Sequence, residues 1–391
     1  MLQNLFICAL FYAATALAAR PFLNEPDTLI DESFATFPIV NGSLPDISRL
    51  LGLPDFDWAA RQVMNDSAYT RYRTGSGGEW SYRNNLEVFE RYRFRPRVMV
   101  DVSNIESSME TTILGYKFSA PFFISPCATA GLAHPEGEIG LLKAAADQNI
   151  LYIPSLATSV SLEDIAAAKA PKSQVLFQQI YVTNNKTADK LLFQRVEKTG
   201  AKALVLTVDS AGDRTRHRAL RFEENANQAR SDSYRTMTWD IYKDLQKLTK
   251  LPIIPKGIQT VEDALAAIEA KAPAIFLSNH GGRALDGSPS SFEVALEIHK
   301  RAPHVFKHIE VYADGGIRYG TDALKLLALG VRAVGLGRPF MYANVYGSEG
   351  VSRAASILKK EITASAATLG VTNLKTISPS FLELNQNGWY S

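Results

Sequence analysis

Residues 310–338 read Glu-Val-Tyr-Ala-Asp-Gly-Gly-Ile-Arg-Tyr-Gly-Thr-Asp-Ala-Leu-Lys-Leu-Leu-Ala-Leu-Gly-Val-Arg-Ala-Val-Gly-Leu-Gly-Arg. A short apolar run stops at Asp314-Gly-Gly, an amphipathic stretch with helical spacing follows, and a second apolar run stops at Gly-Leu-Gly-Arg. This is one strand–helix–strand unit, with Thr321 as its expected helix N-cap. The same alternation extends backwards through the chain. Apolar runs at 121–126, 151–156, 175–181, 203–209, 252–257 and 274–279 bring the total to eight, and segments such as Glu138-Ile-Gly-Leu-Leu-Lys-Ala-Ala-Ala and Thr260-Val-Glu-Asp-Ala-Leu-Ala-Ala-Ile, with Thr260 a second expected N-cap, lie between them. Eight βα units in order predict an α/β fold of the (β/α)8 TIM-barrel type. A doubly wound sheet is the alternative, but its first turn more often reads Gly-x-Gly-x-x-Gly, and Pro126-Cys-Ala-Thr-Ala does not.

Before the barrel, residues 55–95 are helical and aromatic, which predicts an N-terminal helical extension within a domain spanning 55–375. Residues 19–54 read as an irregular lead-in and 376–391 as a C-terminal tail. Residues 1–18 are apolar and end in Ala16-Leu-Ala18, as a secretory signal peptide does. An uncleaved anchor or a buried first helix is the other reading, because no Lys or Arg precedes the apolar run. Sequons at Asn41, Asn65 and Asn185 fit a secreted glycoprotein. Removal of the signal, and with it Cys8, leaves Cys127 alone and no intramolecular disulfide.

The 42 Lys and Arg balance 40 Asp and Glu, so no basic field points to nucleic acid. No later apolar run is long enough to span a bilayer, and stable membrane association after signal cleavage is not expected. A small-molecule partner remains.

In a TIM barrel the chemistry sits where the strands end. The polar residues there are Ser155, Gln179, Tyr181, Thr207, Asp209, Lys256, Ser278, His280, Arg283, Asp314, Arg318 and Arg338. Taken singly, Ser155 and Thr207 could be helix caps. The convergence of Lys256, His280 and several arginines instead calls for anions among them, with phosphate and a substrate carboxylate the natural candidates. Gly315, Gly316 and Gly337 follow the last two strands, where backbone N–H groups can cradle a phosphate, and no metal-ligating cluster is apparent. His280 lies two residues past an apolar run and is followed by two glycines and Arg283, which suits a base beside an anion-binding arginine.

With these residues in view, the chain resembles the FMN-dependent 2-hydroxy-acid dehydrogenase and oxidase family, which includes glycolate oxidase, lactate oxidase and flavocytochrome b2. The resemblance runs from about residue 60 to 375 and rests on Phe94-Arg-Pro-Arg97, Thr112-Ile-Leu-Gly115, Ala133-His-Pro-Glu-Gly-Glu138, Leu206-Thr-Val-Asp209, Lys256-Gly257, Ser278-Asn-His-Gly281, Asp314-Gly-Gly316 and Gly337-Arg-Pro339. It implies FMN as cofactor. The flavin would lie along Pro126, Cys127 and Ala128, its ring bonded by Ser155, Gln179, Thr207 and Lys256. The ribityl phosphate would be held near Ser278, Asp314, Gly315, Gly316, Arg318, Gly337 and Arg338. His280 would be the base, Asp209 its support, Arg283 and Arg216 the carboxylate ligands, and Tyr181 a partner of the substrate oxygens. The resemblance further implies an (S)-2-hydroxy acid as substrate and, in many relatives, a homotetramer.

Three departures from the family fall on the substrate side. Arg71 occupies the position of the family's substrate-binding tyrosine, so either Tyr72 serves in its place or a third arginine enters the mouth. Leu156 stands where glycolate oxidases carry an aromatic, and only 16 residues separate Phe222 from Trp239, where relatives have a longer lid-like loop. Of Arg214, Arg216 and Arg218, spacing alone does not single out one. Cys127 reads as a packed thiol or a redox centre. With no electron-transfer domain in the sequence, O2 is the expected acceptor and hydrogen peroxide the product. A dehydrogenase with another acceptor, an FMN-barrel isomerase and a degenerate flavin-binding protein are the alternatives.

Overall fold

The computed structural model describes residues 43–183, 185–212, 216–222 and 237–384. The signal-like segment, Asn41, Arg214 and most of the stretch between Phe222 and Trp239 lie outside these residues.

All eight apolar runs form strands: β1 (Phe122–Ile124), β2 (Leu151–Tyr152), β3 (Gln178–Ile180), β4 (Leu204–Thr207), β5 (Ile253–Ile258), β6 (Ala274–Leu277), β7 (Glu310–Asp314) and β8 (Ala333–Leu336). They pair in parallel, each with its neighbour in sequence except β2 with β3, and β8 pairs with β1. A parallel bridge between Tyr152 and Leu176 joins β2 to the start of the β3 run and closes the barrel. The strands read as continuous apolar runs because both faces are covered, by helices outside and by side chains inside. Phe123, Phe276 and Tyr312 fill the interior with edge-to-face rings 5.4 to 6.3 Å apart.

The floor of the barrel is a tight hairpin absent from the sequence reading. Strands Thr111–Ile113 and Tyr116–Phe118 pair antiparallel, and buried Ile113 and Phe118 join the interior cluster of Phe123, Phe276 and Tyr312. Leu114 N donates to Glu310 Oε2 at 3.1 Å, which fixes the plug to the first residue of β7.

Of the two expected caps, Thr260 is one: its side chain accepts from Asp263 N. Thr321 is not, because the helix begins at Gly320 and Asp322 Oδ2 accepts from Arg318 N and Tyr319 N, both at 3.0 Å. A carboxylate one residue further along reaches two orphan N–H groups where a hydroxyl would reach one. The domain also extends past the expected boundary at 375, since Leu382–Glu383 pairs antiparallel with Arg93–Phe94.

Helices α1 (Leu53–Val63), α2 (Asp66–Arg73) and α3 (Trp80–Glu87) precede the barrel and lie at its C-terminal mouth. Asn85 and Asn279 exchange side-chain amide bonds of 2.8 and 2.9 Å, both side chains buried. Asp286 accepts from Gly78 N and Ser81 N, each at 2.9 Å, and Ser76 N donates to Gly282 O at 2.8 Å. Gly282 itself has φ +74°, and a Cβ there would lie 2.5 Å from Tyr82 N. Gly287 has φ +85° but open space around it. Gly282→Ala should therefore cost at least ~2 kcal/mol, against about 1 kcal/mol for Gly287→Ala, which carries backbone strain alone. Thermal melts of the two variants check this, and equal losses would refute the docking of the N-terminal helices on Gly282.

Candidate active site

The strand ends surround a cavity of about 510 Å³. Its wall includes Ser155, Gln179, Tyr181, Thr207, Lys256, His280, Arg283, Asp314, Arg318 and Arg338, together with Pro126, Cys127, Ala128, Gly315, Gly316 and Gly337. Arg71, Tyr72 and Arg216 complete the predicted set. Asp209 and Ser278 stand directly behind this wall and act through its members.

Lys256 lies near the end of β5 at 3% exposure, where a lone ammonium would be costly. Its Nζ donates to Ser278 Oγ at 2.7 Å and pairs with Asp314 Oδ2 at 3.3 Å. Ser278 Oγ in turn donates to Asp314 Oδ1 at 2.6 Å and accepts from His280 N at 3.0 Å, while Ser125 Oγ donates to Asp314 Oδ2 at 3.0 Å. Burial pushes the Lys256 ammonium towards losing its proton, but Asp314, Asp209 and Tyr181 outweigh it and raise its pKa above the ordinary value. Lys256 is thus a fixed cation.

Pairing between β5 and β6 slips at Gly257, which has φ +114°. A Cβ there would meet Asp209 Cβ at 2.6 Å, so the bulge makes room for the aspartate. The Asp209 side chain is fully buried, and its Oδ1 lies 2.9 Å from His280 Nδ1. Burial alone would raise this carboxyl, yet the His280 ring, Lys256 and Ser210 bring it down to about 2. An ionised carboxylate can only accept, so Nδ1 carries the hydrogen and the lone pair of a neutral ring resides on Nε2. His280 is itself held in a left-handed conformation, φ +61°, the kind of backbone strain that concentrates at functional sites.

Along β2 to β4 a row of side chains is linked edge to edge. Ser155 Oγ donates to Gln179 Oε1 at 3.1 Å, and Gln179 Nε2 donates to Thr207 Oγ1 at 2.9 Å. Glu138, buried and read only as part of a motif, ties the loops above β1 and β2 together by accepting from Ala130 N, Ser159 N and Val160 N at 2.9 to 3.1 Å. The run of glycine and acid in 133–138 was its only signal. Cys127 faces the cavity, and burial raises its thiol above the ordinary value, which keeps it protonated and unreactive.

The structure revises three sequence readings and narrows a fourth. Arg338, assigned to the phosphate, spends Nε on Tyr72 O, Nη1 on Gly281 O and Nη2 on Thr74 O and Gly281 O at 2.9 to 3.1 Å, so it clamps the wall. Tyr72 lines the cavity, but its hydroxyl donates to Thr129 O at 2.7 Å rather than standing ready for substrate. Leu156 packs with the outer cluster around Leu162 and Ile180, and Ala157 takes the place on the cavity wall. Of the two described arginines of its group, Arg216 is the one at the cavity, since Arg218 turns away to hold Glu79 with Nε and Nη2 bonds of 3.1 and 2.9 Å.

Comparison with known proteins agrees with this architecture. The family model described as FMN-dependent dehydrogenase matches residues 60–232 and 222–384. The chain is 36% identical to the L-lactate dehydrogenase (cytochrome) of Saccharomyces cerevisiae over 88% of its own length, and 36% identical to a peroxisomal (S)-2-hydroxyacid oxidase of Arabidopsis thaliana over 85% of its own length and 96% of that protein's. It spans 62% of the yeast protein and 66% of the related dehydrogenase of Wickerhamomyces anomalus. Among solved structures, a flavocytochrome b2 variant with pyruvate bound superposes with a TM-score of 0.83 at 35% identity, covering 92% of each chain. All eight strands of the barrel fall within the matched residues. The chain belongs to the FMN-dependent dehydrogenase family.

Proposed function

We propose that this protein is an FMN-dependent enzyme that oxidises an (S)-2-hydroxy acid to the corresponding 2-oxo acid. The reading rests on one observation above the rest: His280, held by the buried carboxylate of Asp209, stands at a cavity wall that also carries Lys256 and Arg283. The cavity of about 510 Å³ suits a cofactor and a small substrate together, since ligand sites commonly run from about 300 to 1,000 Å³. Its donor set suits FMN as well. The fixed Lys256 cation and the Ser155–Gln179–Thr207 row would hold the ring, while Gly315, Gly316, Gly337 and Arg318 offer backbone N–H groups and a guanidinium to the phosphate end. A Cβ at Gly337 would lie 2.8 Å from Cys127 Sγ, so the wall there has no room for a side chain.

FMN, when bound, supplies the two-electron acceptor that no side chain of this cavity provides. His280 takes a proton from the substrate on Nε2, and Asp209 stabilises the imidazolium that results. Arg283 and Arg216 bind the substrate carboxylate, and Tyr181 bonds its oxygens. Arg283 is pre-set for this task, because its Nη1 donates to the carbonyls of Arg71, Tyr72 and Thr74 at 2.9 to 3.1 Å. With O2 as the final acceptor the second product would be hydrogen peroxide, a reading supported by the likeness to the Arabidopsis oxidase. A secretory route is part of the proposal. It is supported by the apolar residues 1–18 and by the sequons at Asn65 and Asn185, whose asparagines are exposed at helix N-caps.

Three outcomes are expected. Replacing His280 with Gln should slow anaerobic bleaching of the yellow protein by a 2-hydroxy acid about a hundredfold to ten-thousandfold, with FMN still bound; unchanged bleaching would remove His280 from the reaction. Because the Asp209 carboxyl sits near 2, below its ordinary value, it stays charged as pH falls and loses its hold on His280 only near that value. Asp209→Asn removes this anion, so the acid limb of the rate profile should move down by roughly one to three pH units as the rate falls, and an unmoved limb would count against the pairing. Under aerobic turnover, each acid oxidised should yield one hydrogen peroxide. Rapid dye reduction without peroxide would instead identify a dehydrogenase like the yeast relative.

A further inference from the structure

We infer that the substrate carries a second anionic group, and that Arg71 receives it. This rests on the hydroxy-acid reading above and narrows it to 2-hydroxydicarboxylic acids. Arg71 is exposed at the C-terminal end of α2 and lines the cavity, and its guanidinium makes no hydrogen bond or ion pair among the described residues. A basic residue in the last turn of a helix complements the helix dipole, which accounts for an arginine there but not for one turned to the cavity wall. Arg283 Nη1 donates to Arg71 O at 2.9 Å, so the arginine assigned to the first carboxylate is fastened to the backbone of the one assigned to the second.

Among the described residues no carboxylate pairs with Arg71. Glu79, the buried carboxylate of the same mouth segment, is taken by Arg218 at 2.9 Å and by Arg73 at 3.8 Å. Asp209 is taken by His280 and Asp314 by Lys256. Among the described residues the cavity is lined by six Lys and Arg against one acid, Asp314. A cofactor phosphate and a single substrate carboxylate leave this excess only partly neutralised, and a second carboxylate at the mouth meets the remainder. Neighbouring Tyr72 cannot substitute as the donor, because its hydroxyl is bonded to Thr129 O.

The test compares 2-hydroxybutanedioate and 2-hydroxypentanedioate with 2-hydroxybutanoate and 2-hydroxypentanoate in anaerobic flavin reduction by the FMN-loaded protein. Calorimetric binding of 2-oxopentanedioate against 2-oxopentanoate adds a readout that does not depend on turnover. The diacids should be favoured about 10- to 100-fold in both measurements, as a charge-assisted bond implies. Arg71→Ala should collapse that ratio to within about threefold, and Arg71→Lys should restore part of it. A wild-type preference for the monoacids, or an equal loss for both kinds in Arg71→Ala, would overturn the inference and leave the hydroxy-acid reading intact. If no hydroxy acid of either kind bleaches the flavin, the functional reading itself falls and takes this inference with it.

Discussion

An ammonium and a carboxylate withdrawn from water must find each other, and the buried pair of Lys256 and Asp314 imposes that requirement on four strands at once. Lys256 comes from β5 and Asp314 from β7, while Ser278 just beyond β6 and Ser125 just beyond β1 supply the hydroxyls that complete the carboxylate's shell. Ser278 also accepts from the backbone N–H of His280. The position of His280, the proposed base, is therefore set by the same network that keeps the cation charged, and neither can shift without exposing a buried charge to an apolar surrounding. A pair of this kind contributes little net stability, so its value lies in geometry.

The mouth is organised by a second set of contacts, in which arginines act as struts. Arg283 and Arg338 together donate to the carbonyls of Arg71, Tyr72, Thr74 and Gly281, and Arg218 grips Glu79 from the opposite loop. Guanidinium groups suit this work because their donors radiate in a plane and reach several carbonyls simultaneously. The segment 71–79 is thus part of the cavity, although it belongs to helices that precede the barrel. Glu79, held to about 2 against its burial by Arg218, Gly75 N and Arg73, keeps that joint ionised.

Most of the barrel was legible because buried parallel strands leave an unambiguous trace: eight apolar runs, each ending on a polar residue that reaches the cavity or its immediate support. Residues such as Gln179, Thr207 and His280 could be placed from that trace alone. What escaped has physical reasons. The hairpin at 111–118 has three-residue strands, too short for a period to register, and the pairing of 382–383 with 93–94 links segments almost the full domain apart in sequence. Spacing could say that Tyr72 and Arg338 reach the cavity, but the partners of a hydroxyl or a guanidinium depend on carbonyls brought there by the fold. Leu156 was misread for a related reason, since an alternating strand end does not reveal which of two neighbours turns inward.

The hairpin plug has a consequence for traffic. With Ile113 and Phe118 packed into the barrel floor, molecules enter and leave by the mouth. Under the proposed activity, substrate, product and electron acceptor would share one doorway, and its arginine-rich rim would not treat them alike. Such a rim attracts anions and leaves an uncharged molecule unaffected. In the proposed reaction the 2-oxo acid product, still anionic, would leave against that attraction, and departure at the rim would then set the pace of the cycle alongside proton transfer at His280.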